Sequence, residues 1–580
     1  MALDRKIAYI DLTSGKIKIQ PIPPKIRQLF LGGRGLDMYL LYNHLEAGVD
    51  PLGPDNVALV SAGILAGTLA PAAARSYVSG KSPLTGFAGS ANVGGFFAPE
   101  LRWAGFDHLV ITGKAQKPVY LWIHNGEIEI RDAQNVWGKM TDQSQQTIRE
   151  ELRDRDVQVL TIGPAGERLV RLATVITGLK DTGGRSGMGA VFGSKNLKAI
   201  AARGTMDIKI AHPAEALDYN LRATGTPGSQ RKDASGVEAI DENSVGVSSC
   251  FGCQVSCRTK YVIPSGPYAG VYDEGPGQVT QDAFAAKLES PSLLTVLLAN
   301  HLANTYGIDL TETGSLISWA MELYEKGILT DKDTDGLELR FGNDAAVIEM
   351  VHRIARRQGL GDILAEGLLR AAEKIGKDSA RYVSHVKGMS SPYPDEQMTP
   401  AVALAVATGS SGADCPRGYP AIDLPEPALR RICSQPVAYN GRLTPDPGDY
   451  EGKPWQVFWH ETADEAADCL GICEYSFPGA LPDFEEWSKL LYYNTGLEMS
   501  PLDIWTAAER AHNMERLFNT REGLSRKDDW LASQSLRLNR EKFQKMIDEY
   551  YTHHGWDKNG IPTRKTLKRL SIDNEPSRML

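Results

Sequence analysis

Three cysteines fall within one short run, Cys250-Phe-Gly-Cys253-Gln-Val-Ser-Cys257. Thiols at that spacing can converge on one small inorganic centre, and a fourth ligand must then arrive from elsewhere in the chain. Cys473, in Asp468-Cys469-Leu470-Gly471-Ile472-Cys473, is the best placed. Four thiolates suit a [4Fe–4S] cluster or zinc. Zinc commonly takes two paired C-x2-C halves, so the three-plus-one pattern favours iron–sulfur; zinc and unrelated buried cysteines are the other readings. The order C-x2-C-x3-C also reverses that of radical-SAM enzymes. Cys433 and Cys469 read as small buried hydrophobes rather than ligands. A cluster held by four thiolates is coordinatively full and moves electrons singly, so a second cofactor should stand beside it. Glycine runs at Gly32-Gly33-Arg34-Gly35, Gly94-Gly95 and Gly183-Gly184-Arg185-Ser186-Gly187 could bring backbone N–H groups against an anionic ligand.

The elements that must hold these residues change character along the chain. The first 200 or so residues are strand-rich. Ile7, Tyr9, Ile17 and Ile19 alternate around the turn Thr13-Ser14-Gly15, and Asn125-Gly126 between Val119–Ile123 and Ile128–Ile130 predicts a tight hairpin. Val157 to Ile162 is a further apolar run. Beyond about residue 205 the period becomes helical. Asn343 caps a helix that Gly359 should stop, a second runs from Asp362 to about Ile375 before Gly376, and Leu316, Trp319, Ala320 and Leu323 mark another. Gly412 to Asp449 is proline-rich and reads as irregular. No internal repeat is visible.

The chain has 580 residues, 42% hydrophobic and 23% charged, and 63 basic against 72 acidic side chains give −9. That composition is ordinary for a globular protein able to bury a cofactor. An acidic balance without a basic run argues against a nucleic-acid partner. Val57 to Ala74 is uncharged, but its Ala, Gly and Ser content and Pro71 predict a buried strand and a glycine-rich loop rather than a membrane helix. With no signal-peptide pattern at the N-terminus and an odd number of cysteines, the expected setting is cytoplasmic.

The sequence resembles the aldehyde ferredoxin oxidoreductase family over essentially its whole length. The resemblance is carried by Leu31-Gly-Gly-Arg-Gly-Leu36, Arg75-Ser-Tyr-Val-Ser-Gly-Lys-Ser-Pro-Leu-Thr-Gly86 and Asn92-Val-Gly-Gly-Phe-Phe-Ala-Pro-Glu-Leu101. It continues through Ile162-Gly-Pro-Ala-Gly-Glu167, the four cysteines, Arg526-Lys-Asp-Asp529 and Gly555-Trp-Asp557. It implies an α+β fold: a β-rich pterin-binding domain over 1–205, a mainly helical domain with three cluster cysteines over 206–415, and a mainly helical domain with the fourth over 416–580. The implied cofactors are tungsten (or molybdenum) held by two molybdopterins, one [4Fe–4S] cluster on Cys250, Cys253, Cys257 and Cys473, and Mg2+ bridging the pterin phosphates. By the same resemblance Arg75 and the Asn92–Gly94 loop contact pterin, the backbone near Asn92 and Ser186 is where a magnesium ion bridges the pterin phosphates, and Arg185 is a further cofactor-binding residue. Two D-x-x-G-[IL]-[CD] motifs hold the pterins: Asp468 to Cys473, including Ile472, and Asn304-Thr-Tyr-Gly307-Ile308-Asp309, in which Asn304 replaces the leading aspartate.

The implied activity is oxidation of an aldehyde to a carboxylate, with electrons passed to ferredoxin or a partner iron–sulfur subunit, in a homo-oligomer or a larger complex. Two departures bear on it. Aldehyde-oxidising members show E-G-P-E-Y, where this chain has Glu274-Gly-Pro-Gly277-Gln278. They also carry a histidine where this chain has Gly412-Ala-Asp414-Cys415-Pro416-Arg417. Glu274, Asp414, Cys415 and Arg417 are therefore the candidate catalytic side chains, with Cys415 a tungsten ligand, a proton donor or an inert filler of the histidine's space. The alternatives are the active-site subunit of a class II aryl-CoA reductase, with an aryl-CoA substrate, and a non-catalytic zinc-binding interaction protein.

Overall fold

The structure is a computed structural model that describes residues 3–224, 243–275, 277, 284–285, 287–289, 292–392, 398–414, 430, 435–437, 441, 443–476, 483–532 and 537–573. Twelve strands of the N-terminal part form two six-stranded sheets. In the first the order is β2 (Lys16–Pro21), β1 (Lys6–Asp11), β6 (Phe106–Thr112), β3 (Ala58–Ala62), β4 (Ser76–Lys81), β5 (Ala88–Val93). In the second it is β11 (Asp181–Gly183), β10 (Val175–Thr177), β9 (Gln158–Thr161), β12 (Leu197–Arg203), β7 (Val119–His124), β8 (Glu127–Asp132). Pairing is antiparallel except at β1–β6 and β12–β7.

The alternation read from the sequence is realised as two faces of one sheet. Ala8, Ile10, Ala58, Val60, Leu109 and Ile111 enter the core shared with Leu121, Ile123, Leu160 and Ile200 of the second sheet. Their neighbours Ile7, Leu59 and Val110 point the other way, onto the Gly33–His44 helix and onto Met514 and Phe518 of the Pro501–Arg521 helix. Strand β3 is buried along its whole length because both faces are covered. The hairpin forms at Asn125 and Gly126, both at positive φ (42° and 90°), as a primed turn requires. The uncharged stretch from Val57 is β3 followed by a loop. Among the described residues no helix is long and apolar enough to cross a membrane.

Helices dominate beyond β12. One apolar core joins Leu293–Tyr306, Leu310–Glu325 and Asp344–Arg356, and another joins Lys453–Leu470, Phe484–Thr495 and Pro501–Arg521. Three local expectations need correction. The helix capped by Asn343 ends at Arg356, because Arg357 already takes a left-handed conformation (φ 54°), and Gly359 instead precedes the next helix. The span from Asp362 to Ile375 is two helices, Leu360–Leu364 and Leu368–Ile375, broken where Gly367 turns to φ 83°. The first glycine run is the start of a helix, Gly33–His44, rather than a loop, and its Arg34 is buried against Glu465 and Glu515. Most of the proline-rich stretch, with Cys415, Arg417 and Cys433, lies outside the described residues.

Candidate functional site

Two helices deliver their C-terminal ends to the two sheets in the same way. Leu293–Tyr306 ends at Gly307 (φ 72°) and Lys453–Leu470 ends at Gly471 (φ 82°), each a left-handed stop. After each glycine an isoleucine makes an isolated bridge, Ile308 to Ala173 and Ile472 to Ala73. The N–H of Thr174 donates to Gly307 O at 2.9 Å and the N–H of Arg75 to Gly471 O at 3.1 Å. The approach leaves no room for a side chain: a Cβ on Gly63 would stand 2.1 Å from Gly471 Cα, and one on Gly163 would stand 2.2 Å from Tyr306 O. The sequence shows no repeat, yet the fold repeats this joint, and both D-x-x-G-type motifs are its two copies.

Between the joints lies one cavity of about 330 Å³. Arg75, Asn92, Arg185, Asn304, Asp309, Asp414 and Asp468, all singled out from the sequence, line it. Asn92 Nδ2 donates to Asp468 Oδ1 at 3.0 Å, and Thr182 Oγ1 stands 3.4 Å from Asn304 Oδ1. Asp309 also caps the Leu310–Glu325 helix, accepting from the Glu312 N–H at 2.7 Å, while its other oxygen accepts from the Arg185 N–H at 3.0 Å. The Arg185 guanidinium turns away and donates to the carbonyls of Ser390 (2.5 Å) and Ala413 (2.9 Å). It thereby holds the chain that presents Asp414.

Lys180, Thr182, Asn300 and Glu474 also line the cavity and were not singled out from the sequence. Burial pulls the Lys180 ammonium below its ordinary range, against the opposing pull of Cys257 and Asp181. Its stem packs where a Cβ on Gly275 would stand, 3.2 Å from Lys180 Cδ. Lys180 lies three residues before the third glycine run, which is the one signal in the sequence that could have pointed to it. Glu274, a candidate catalytic group, is not among the lining residues. It accepts from Ser248 Oγ at 2.9 Å and stands 4.0 Å from Arg258.

The four cysteines gather at the edge of this cavity, and those described are unbridged thiols. Arg75 links the two places. It lines the cavity while its Nη2 donates to Cys473 Sγ at 2.5 Å. Cys250 Sγ accepts from the Gly95 N–H at 3.3 Å and from Arg258 Nη2 at 2.8 Å. Burial, and then Cys473, Cys250 and Cys257 acting as nearby charges, push the Cys253 thiol up to about 12, so the four sulfurs share one electrostatic neighbourhood. Gly94 marks the meeting point: a Cβ there would lie 2.8 Å from Asp181, 2.9 Å from Arg75 and 2.9 Å from Cys250 Sγ. Cys469 is buried against Gly35, as a packing residue.

Residues 7–204 match the N-terminal domain of aldehyde ferredoxin oxidoreductase, and residues 189–572 match its domains 2 and 3. The chain belongs to the aldehyde ferredoxin oxidoreductase family. It is 32% identical to the tungsten-containing aldehyde ferredoxin oxidoreductase of Pyrococcus abyssi, covering 98% of each chain. It is 28% identical to the WOR-like subunit of an aliphatic sulfonate oxidoreductase from Pyrococcus furiosus, covering 98% of this chain and 97% of that one. Among solved structures it resembles the active site complex BamBC of benzoyl coenzyme A reductase, with TM-score 0.85, 28% identity, and coverage of 99% and 97%. The family is one of oxidoreductase enzymes and implies a tungsten pterin cofactor.

The residues present fit that group. Among the described residues, Asn92 Oδ1, Arg75 Nε, Arg185 Nε, Ser186 Oγ, Asn304 Nδ2 and Thr177 Oγ1 are buried without a hydrogen-bond partner. Each orphaned buried polar atom costs roughly 1–3 kcal/mol. Four of them, on Arg75, Asn92, Arg185 and Asn304, belong to residues that line the one cavity, the pattern expected where a polar, anionic ligand supplies the missing partners.

Proposed function

We propose that the chain oxidises an aldehyde to a carboxylate at a tungsten held by two molybdopterins. Cys250, Cys253, Cys257 and Cys473 would hold a [4Fe–4S] cluster, which would supply one-electron transfer toward ferredoxin or a partner iron–sulfur subunit. The observation that carries this reading is Arg75, which lines the cavity and donates to Cys473 Sγ. One guanidinium thus touches both places between which electrons must pass. Tungsten supplies the two-electron redox centre. The protein supplies the rest: Arg75, Asn92, Asn304, Asp309 and Asp468 would hold and orient the pterins, and Ser186 and the chain near Asn92 would hold a Mg2+ ion. Asn304 does so without the charge of its counterpart Asp468, so the two pterins are held unequally.

Hydration of a carbonyl carbon and loss of its hydrogen release protons that a base must accept. Asp414 is the candidate base: it lines the cavity and directly follows Ala413, whose carbonyl Arg185 holds. Lys180 offers a cation for the developing carboxylate. Cys415 and Arg417, one and three positions beyond Asp414 in the sequence, remain candidate catalytic groups outside the described residues. Glu274 acts one step away, through Arg258 beside Cys250.

The likeness to BamBC, with the absence of a histidine between Gly412 and Arg417, favours aryl-CoA reduction as the second reading. A panel of aldehydes with a viologen acceptor, run beside aryl-CoA thioesters with a strong reductant, separates the two. Asp414→Asn should lower aldehyde turnover about 10²–10⁴-fold with tungsten and iron contents unchanged. Full activity in that variant removes Asp414 from the reaction. Turnover of aryl-CoA alone replaces the first reading by the second.

A further inference from the structure

Away from the cavity and the cysteines, a dense group of ligand-type side chains lies where three helices meet. Glu461 comes from Lys453–Leu470, His512 from Pro501–Arg521, and His554 is the last residue of Arg540–His554. One ligand atom from each lies within 4.8 Å of the other two. His554 Nε2 is 3.3 Å from Glu461 Oε2, and His512 Nε2 is 3.9 Å from Glu461 Oε1. The three residues are 2%, 4% and 5% exposed for His554, His512 and Glu461.

Two observations point to an ion rather than to a closed polar network. Among the described residues, neither His512 Nε2 nor His554 Nε2 has a hydrogen-bond partner, although both are buried. The charges around them also leave Glu461 unmatched. Arg34 is shared by Glu465 and Glu515, and Arg516 is committed through both Nη atoms to Asp529. Glu461 accepts a hydrogen bond from Tyr550 Oη at 2.5 Å. No Lys or Arg among the described residues pairs with it. A buried carboxylate beside two buried, unpartnered imidazole nitrogens is costly, and a cation between them satisfies all three. The rings are already held. Trp556 stacks on His512 (5.7 Å, 5° between planes) and on His554 (4.5 Å, 22°).

We propose that Glu461, His512 and His554 bind one divalent transition-metal ion, Zn2+ or Fe2+, at a site separate from the tungsten and iron–sulfur centres. Two imidazoles and one carboxylate are a donor set that both ions accept. Bond lengths of about 2.0–2.1 Å at a tetrahedral centre place ligand atoms about 3.4 Å apart, so binding draws the three helices together. Glu461, Glu465 and Asp468 lie at i, i+4 and i+7, on one face of their helix. The ion therefore anchors the helix whose far end presents Asp468, Gly471 and Cys473, and its role is structural.

The test uses anaerobically purified holoenzyme and its His512→Ala and Glu461→Gln variants, each analysed for tungsten, zinc, iron, manganese, cobalt and nickel before and after dialysis against zinc. Wild type should carry about one equivalent of zinc or iron per chain that both variants lack, with equal tungsten in all three. Equal zinc and iron contents in wild type and variants overturn the proposal. Should the variants fail to fold, anomalous diffraction at the zinc and iron edges from zinc-soaked wild-type crystals decides. A peak bonded to Glu461 and both imidazoles supports the site, and its absence overturns it. The edge at which the peak appears before soaking tells zinc from iron.

Discussion

Arg75 is the side chain on which most of the proposed chemistry converges. It donates to Cys473 Sγ, lines the cavity, and keeps a buried Nε without a partner among the described residues. Charge-assisted hydrogen bonds of this kind contribute about 1.5–3 kcal/mol each. Arg75→Ala is therefore expected to lower tungsten and pterin occupancy and to alter the EPR signal of the reduced cluster, both in one variant. A change in tungsten content with an untouched cluster signal would mean that the contact with Cys473 carries no influence. Cys257→Ser, which leaves Arg75 in place, should alter the cluster signal while tungsten is retained.

At the scale of elements, Asp529 ties the C-terminal helices to the segment that follows the Leu368–Ile375 helix. Both of its oxygens are engaged: Arg516 donates at 2.6 and 3.2 Å, Lys387 Nζ stands at 2.9 Å, and Tyr551 Oη donates at 2.5 Å. Burial raises the carboxyl pKa, but Arg516 and Lys387 outweigh it and hold it down to about 2. The folded value lies below that of an unfolded aspartate, about 3.9. The contribution to stability is therefore complete above about pH 4 and is lost as pH falls through about 2. Asp529→Asn leaves two buried cations underpaired, and breaking such a pair costs about 3–5 kcal/mol. Denaturant unfolding at neutral pH should show that loss, and the gap between variant and wild type should close below pH 4. A gap that persists undiminished at pH 2 would assign the effect to packing instead.

At the scale of the whole molecule, the cofactor cradle is a joint between separately packed parts. Two sheets supply one wall, and two helix ends, at Gly307 and Gly471, supply the other. A ligand that binds only the assembled form stabilises it by about 2.7 kcal/mol at a concentration one hundred times its dissociation constant. Protein from tungsten-depleted cells should accordingly exchange the amides of Arg75 and Thr174, which donate across the two joints, faster than holoenzyme. The central strand β3, buried on both faces, should exchange alike in the two forms. Equal protection of the joint amides in both forms would mean that the cradle is rigid without its cofactor.

Local chemistry was legible from the sequence because spacing alone expresses it. The C-x2-C-x3-C run, the Asn125-Gly126 hairpin and the Asn343 cap depend on residues a few positions apart. Cys473 stood out as the best placed remote partner, and the family resemblance added the residues around the cavity and the two motifs ending in Asp309 and Cys473. Helix limits were less legible, since Arg357 and Gly367 took left-handed conformations that propensity does not assign. What only the tertiary structure decided is set by contacts between residues tens to hundreds of positions apart. The link from Arg75 to Cys473, the repeated joint at Gly63–Gly471 and Gly163–Gly307, and Lys180 in the cavity all arise when sheets and helix ends close on each other. The same holds for the turn of Arg34 away from the first glycine run, and for the meeting of Glu461, His512 and His554. Each side chain there reads along the chain as an ordinary polar position on a helix, and only packing removes it from water and gives it a partner or denies it one.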